Sequence, residues 1–142
     1  PGQRAAYLSR LSGPFMDRLD LQIFCSPLKP GELTSDAPGE ESAKIAARVL
    51  RARKLQQERF SGERIFCNAQ MNSRQIRAFC RMTDEASALL RQAFDSMGLS
   101  PRGHDRILRV ARTIADMEGE ESISPMHIAE AIQYRESEYF QR

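Results

Sequence analysis

The stretch Leu99-Ser-Pro-Arg-Gly-His-Asp-Arg-Ile-Leu-Arg-Val-Ala-Arg-Thr-Ile-Ala-Asp-Met-Glu118 admits little besides a helix. Ser100 supplies a hydroxyl to cap free amides, and Pro101 lacks only an N–H that the first helical position leaves unused. Ile107, Val110, Ala111 and Ile114 recur at helical spacing, so one face belongs to a core. Arg102, Arg106 and Arg109 fall within a narrow arc of another face at about 100° per residue. Arg102 sits in the first turn, where the helix dipole disfavours a cation. Free amides beside a guanidinium suit a phosphate. A solvated arginine face or a structural ion pair is the plainer alternative, because exposed charged faces are the norm.

The segments around this helix carry the same period. A long helix from about Glu40 to Phe60 opens on two acids near its positive end and turns Ile45, Val49 and Leu50 inward. Lys44, Arg48 and Arg51 form a basic stripe on it, either a solvated face or a nucleic-acid contact. Ser61-Gly62 breaks the pattern and residues 61–70 read as irregular. A helix from Asn72 to about Arg81 places Ile76, Phe79 and Cys80 inward. Thr83 caps the next, whose stripe is Ala86, Leu89, Leu90, Ala93, Phe94 and Met97 before Gly98 stops it. Gly119 ends the opening helix, and Ser124-Pro125 starts the last one, with Ile128, Ala129 and Ile132 inward. The expected fold is mainly α, a bundle of four or five helices joined by short turns.

Before the bundle the pattern differs. Residues 2–12 can form a short helix with Ala5, Leu8 and Leu11 inward, ended by Gly13-Pro14. Alternation at Leu19, Leu21, Ile23 and Cys25 predicts a short strand with no partner strand elsewhere in the sequence. A lone strand leaves its amides and carbonyls unpaired, so its sheet is expected in sequence outside this chain. The prolines and glycines of 26–41 read as a linker or loop. The expected division is an arm over 1–26, a linker over 27–41 and a helical domain over 42–142.

The net charge of +2 does not demand a nucleic-acid partner. Lysine occurs only as Lys29, Lys44 and Lys54, so arginine dominates the cations, as it does where bidentate contact to carboxylate or phosphate matters. Cys25, Cys67 and Cys80 are odd in number and far apart, and read as buried hydrophobes of a reducing, cytoplasmic compartment. No run of 18 apolar residues exists, and no membrane partner is expected. There is no G-x-x-x-x-G-K-[ST] motif, no nucleophile elbow and no metal-ligand spacing around His104 or His127, so no metal site is expected. Both histidines read as surface or helix-packing residues, and Glu120-Glu121 as a solvated turn.

Ser12-Gly-Pro-Phe-Met-Asp-Arg-Leu-Asp-Leu21 resembles the S-G-P-(L)-(L)-D-R-(I)-D-(L) segment of the ComM/YifB proteins, magnesium-chelatase-like AAA+ ATPases. Asn68-Ala69, Leu99 to Asp116 and His127-Ile-Ala-Glu-Ala-Ile-Gln-Tyr-Arg135 fit the same family. The resemblance implies the C-terminal part of a larger ATPase: the tail of the ATPase core, then the helical lid, with the P-loop upstream. By the same resemblance Arg18 is an arginine finger acting on a neighbouring subunit's ATP, where Asp17 or Asp20 could otherwise pair with it to fix a turn. Arg102 matches sensor 2, the arginine that touches the γ-phosphate, with Arg106 one turn on as the fallback. The family's small residue at position 101 and aromatic at 104 are here Pro101 and His104. The parent is then expected to bind ATP and Mg2+ between subunits of a homo-oligomeric ring, a hexamer, and to remodel DNA by branch migration in recombination and natural transformation. No cofactor is expected on this chain alone, which should lack ATPase activity. Two alternatives stand beside this: a non-enzymatic DNA-binding or adaptor module using Lys44, Arg48 and Arg51, and a magnesium-chelatase ATPase subunit.

Overall fold

The computed structural model describes residue 15, residues 18–23 and 25–27, and residues 39–135. Five helices follow one another: α1 (Ser42–Arg59), α2 (Ser73–Phe79), α3 (Asp84–Met97), α4 (Pro101–Glu118) and α5 (Pro125–Gln133), with a short 3-10 turn at Asn68–Gln70. The expected helical bundle is what forms.

Its boundaries follow local chemistry. Ser100 Oγ accepts from the Gly103 amide at 3.0 Å and Thr83 Oγ1 from the Ala86 amide at 3.2 Å, each satisfying a donor the first turn leaves free. Asn72 and Gln75 form a reciprocal capping box at the start of α2. Gly98 and Gly119 close α3 and α4 in the left-handed region, at φ 58° and 81°, where a Cβ would be strained.

Helix α4 is the hub. It packs against α1, α2, α5 and the 3-10 turn, while α3 lies on α5. Ile107, Ala111 and Ala115 are fully buried along α4, meeting Ile123 and Ile128 from the α5 side. Each such isoleucine contributes about 1.5–3 kcal/mol of transfer free energy. The loops entering α3 and α5 are tied together, since the Ile123 amide donates to Arg81 O at 2.8 Å and the Thr83 amide to Ile123 O at 3.1 Å.

Three sequence expectations need correction. The alternating segment forms no strand: among the described residues, 19–23 and 25–27 have no regular secondary structure. With no strand edge among the described residues to pair with, the segment instead lies against the bundle through the Gln22 amide, which donates to Tyr134 O at 2.7 Å. On α1, Ile45, Val49 and Leu50 do not turn inward and stay 43%, 47% and 68% exposed. Only the second half of α1, through Ala52 and Gln56, is buried, so the apolar row continues past the edge of the bundle. Cys25 is exposed and Cys67 half-buried; Cys80 alone of the three is a buried hydrophobe. The helix expected over 2–12 lies outside the described residues, as does most of the linker over 27–41.

Candidate functional site

The start of α4 borders a cavity of about 820 Å³ that α2 and α3 complete. Its floor is apolar because the inward residues Ile76, Leu90 and Leu108 come from three different helices. Arg77 from α2, Arg91 from α3 and Arg102 from α4 stand on the rim, all exposed. Among the described residues none of these three guanidinium groups has a hydrogen-bond or ion-pair partner.

One carboxylate, Asp105, also lines the cavity, and neighbours occupy it: Ser73 Oγ donates to Oδ2 at 2.6 Å, and His104 Nδ1 lies 3.4 Å from Oδ1. The His104 ring meets Phe94 edge to face at 6.1 Å. Cys80 is no nucleophile here. Desolvation pushes its thiol up to about 12, and its Sγ faces Leu108 O. The cavity therefore offers an apolar base, an aromatic wall and excess positive charge. That combination suits an anion carrying an apolar or aromatic part.

The arginine face expected on α4 separates into different environments. Arg102 stays exposed at the cavity. Arg106 is held by Asp20 at 3.0 Å with its side chain 16% exposed. Arg109 donates through Nη2 to Met71 O at 2.5 Å. Arg18 is exposed, its amide closing a turn onto Phe15 O at 2.9 Å, and it does not line the cavity. On α1, Arg48 makes a two-pronged contact with Glu40, and Lys44 lies 3.8 Å from Glu41. Arg51 is exposed beside Lys54 and Glu58. The basic stripe is thus partly neutralised by the acids that precede it.

Sequence reasoning missed two features. Arg77 and Arg91 join Arg102 only through tertiary packing; their positions show polar faces and nothing of what those faces flank. The second is a buried polar network under the hub. Asp116, with no side-chain exposure, accepts from Arg112 Nε at 3.0 Å, Asn68 Nδ2 at 2.8 Å and Arg59 Nη1 at 2.8 Å. Arg112, 1% exposed, also donates to the carbonyls of Glu120 and Glu121. Burial lowers its pKa, and Asp116 opposes that shift. The signal was present: Arg112 and Asp116 are spaced i, i+4 beside the apolar row Leu108, Ala111 and Ala115. His127 is buried too, its Nδ1 accepting from the Ser124 amide at 3.0 Å and its Nε2 meeting Glu118 at 2.9 Å, which makes it a packing residue.

Among the described residues there is no group of three or more His, Cys, Asp or Glu side chains able to hold a metal ion, and no helix long and apolar enough to cross a membrane.

Compared with known proteins, residues 39–135 match the profile described as magnesium chelatase, subunit ChlI C-terminal. The chain is 44% identical over 136 residues to the competence protein ComM of Haemophilus influenzae, covering 95% of this chain and 26% of that protein. It is 41% identical over the same length and shares to the uncharacterized protein YifB of Escherichia coli. An uncharacterized Mycobacterium bovis protein is 35% identical over 131 residues, 92% of this chain and 26% of its own length. The chain thus spans about a quarter of the length of these relatives.

Proposed function

The chain belongs to the magnesium chelatase subunit ChlI C-terminal family, and from that premise we propose that it is the lid of a longer AAA+ ATPase, with Arg102 contacting the nucleotide's terminal phosphate. The observation carrying this reading is an exposed guanidinium, without a partner among the described residues, at a capped helix start beside an open cavity. A first-turn cation works against the helix dipole unless an anion accompanies it. Arg77 and Arg91 on the same rim extend the positive field over a polyphosphate.

The guanidinium groups of Arg77, Arg91 and Arg102 would hold the phosphate half of Mg-ATP. In the longer protein the nucleotide supplies a phosphoryl group for hydrolysis, and this chain's residues bind and orient it. Arg102 would donate to the nucleotide's terminal phosphate. Arg18, exposed on the preceding segment, reaches the neighbouring subunit's pocket. A finger of this type is worth about 10³–10⁵ in rate. In this reading the longer protein is a ring, a hexamer, working in the cytoplasm, and it couples hydrolysis to branch migration on DNA. The relative named a competence protein supports that side over a chelatase subunit.

The test is ATP turnover by the longer protein. Arg102→Ala should lower kcat/KM about tenfold to a hundredfold, the worth of a charge-assisted hydrogen bond to phosphate. Unchanged turnover refutes the role. The present chain alone should hydrolyse no ATP. If it alone bound branched DNA tightly and with strong salt dependence, a DNA-binding module built on Lys44, Arg48 and Arg51 would replace this reading.

A further inference from the structure

The segment that carries Arg18 is fastened to the helix that carries Arg102 and to the turn that follows α5. Arg106 Nη1 holds Asp20 Oδ1 at 3.0 Å, Arg135 Nη1 donates to Leu19 O at 3.1 Å, and the Gln22 amide donates to Tyr134 O at 2.7 Å. These contacts span residues about a hundred positions apart and come from α4 and from the turn at residues 134–135 that follows α5. They use both side chain and backbone of the segment, so they fix its position as well as its charge. Arg106 lies one turn beyond Arg102 on α4, and Asp20 lies two residues beyond Arg18.

From this geometry we propose that Arg106 is a positioning residue, which locks the Arg18 segment to the helix bearing Arg102. The Arg106 guanidinium is mostly covered and committed to Asp20. Nucleotide contact at Arg102 and the placement of Arg18 are then linked through a single helix turn, a relay between the two arginines. The relay rests on the proposed roles of Arg18 and Arg102; the lock itself does not.

Two measurements separate the lock from the relay. In the present chain, amide hydrogen exchange at Gln22 should accelerate about tenfold or more in Arg106→Gln, as the segment opens locally. Exchange in the middle of α5 should stay unchanged. The reversed pair Asp20→Arg with Arg106→Asp should restore much of the protection. Unchanged exchange at Gln22 overturns the lock whatever the ATPase does.

In the longer protein, Arg106→Gln should lower kcat at least fivefold, roughly, with KM within about twofold, because the nucleotide's binding contacts stay intact while the finger is misplaced. The reversed pair should recover turnover. A raised KM with unchanged kcat would make Arg106 a nucleotide contact and overturn the relay. Should Arg18→Ala leave kcat unchanged, the finger role fails and the relay with it, while the exchange result still judges the lock.

Discussion

Replacing Asp116 by alanine should be among the most damaging single changes in this bundle. The carboxylate has no solvent exposure and receives donors from Arg59, Asn68 and Arg112. The losses are unequal. Arg59, 17% exposed, can turn toward water, and Asn68 Nδ2 keeps Thr113 Oγ1 at 3.0 Å. Arg112 cannot escape, because its side chain is 1% exposed and two of its nitrogens remain on the carbonyls of Glu120 and Glu121. A stranded buried charge costs about 3–5 kcal/mol. In a bundle of roughly a hundred residues, each kcal/mol lowers the melting temperature by about 4–8 °C, so a fall of at least about 12 °C is expected. Urea unfolding followed by far-ultraviolet circular dichroism measures the change, with an unchanged m-value showing that cooperativity persists. The decisive comparison is the same substitution in an Arg112→Met background. With the buried cation gone, removing the carboxylate should cost less, by a coupling of about 1–3 kcal/mol. A single-mutant cost under about 1 kcal/mol, or additivity of the two changes, would refute the assignment of the penalty to Arg112.

The helix ends and the surface give further tests. Gly98→Ala should cost about 1–2 kcal/mol although nothing lies near the new methyl group, because φ 58° alone is the obstacle; Gly103→Ala, inside α4 at ordinary contact distances, should instead stabilise by about 0.5–1 kcal/mol in the same urea assay. Alkylation with iodoacetamide at pH 8 should label exposed Cys25 rapidly and leave Cys80, pushed up to about 12, unmodified until denaturant is added. The hydrogen bond from Arg48 holds the Glu40 carboxyl below its ordinary value of 4.5. A depressed carboxylate stabilises the fold above its unfolded pKa and loses that contribution as pH falls through the folded one. A carboxyl NMR titration should place the Glu40 midpoint below 4.5, and Arg48→Gln should return it there.

The caps and the stripes were legible in the sequence because both are local. Ser100, Thr83, Gly98 and Gly119 mark helix ends by their own chemistry, and the structure places each where that chemistry requires. The apolar spacing of α3 and α4 likewise names Ala86, Leu90, Ile107 and Ala111 as interior. Periodicity failed on α1, where it identifies the apolar face of Ile45 and Val49 and does not report how far the neighbouring helices extend. It failed again at Leu19–Cys25, where alternation describes a strand's surface and pairing depends on an edge that must exist elsewhere. The candidate site divides the same way. Arg102 stood out through its first-turn position and the family resemblance, whereas the cavity and its two companion arginines are products of three helices meeting. The arc of Arg102, Arg106 and Arg109 was real as angle and misleading as environment, since Asp20 and the Met71 carbonyl reach two of its members from distant parts of the chain.

The fork at Arg112 changes how the chain's basic composition should be understood. Its planar head serves three acceptors at once, two of them backbone oxygens just past the negative end of α4, and a lysine's single ammonium could not span them. Arg59, Arg106, Arg109 and Arg135 likewise turn inward to oxygen atoms of the chain itself. Tallying cations therefore overstates the charge that an approaching molecule meets; much of the guanidinium in this protein acts as internal bracing, and an incoming anion would meet mainly what that bracing leaves unused.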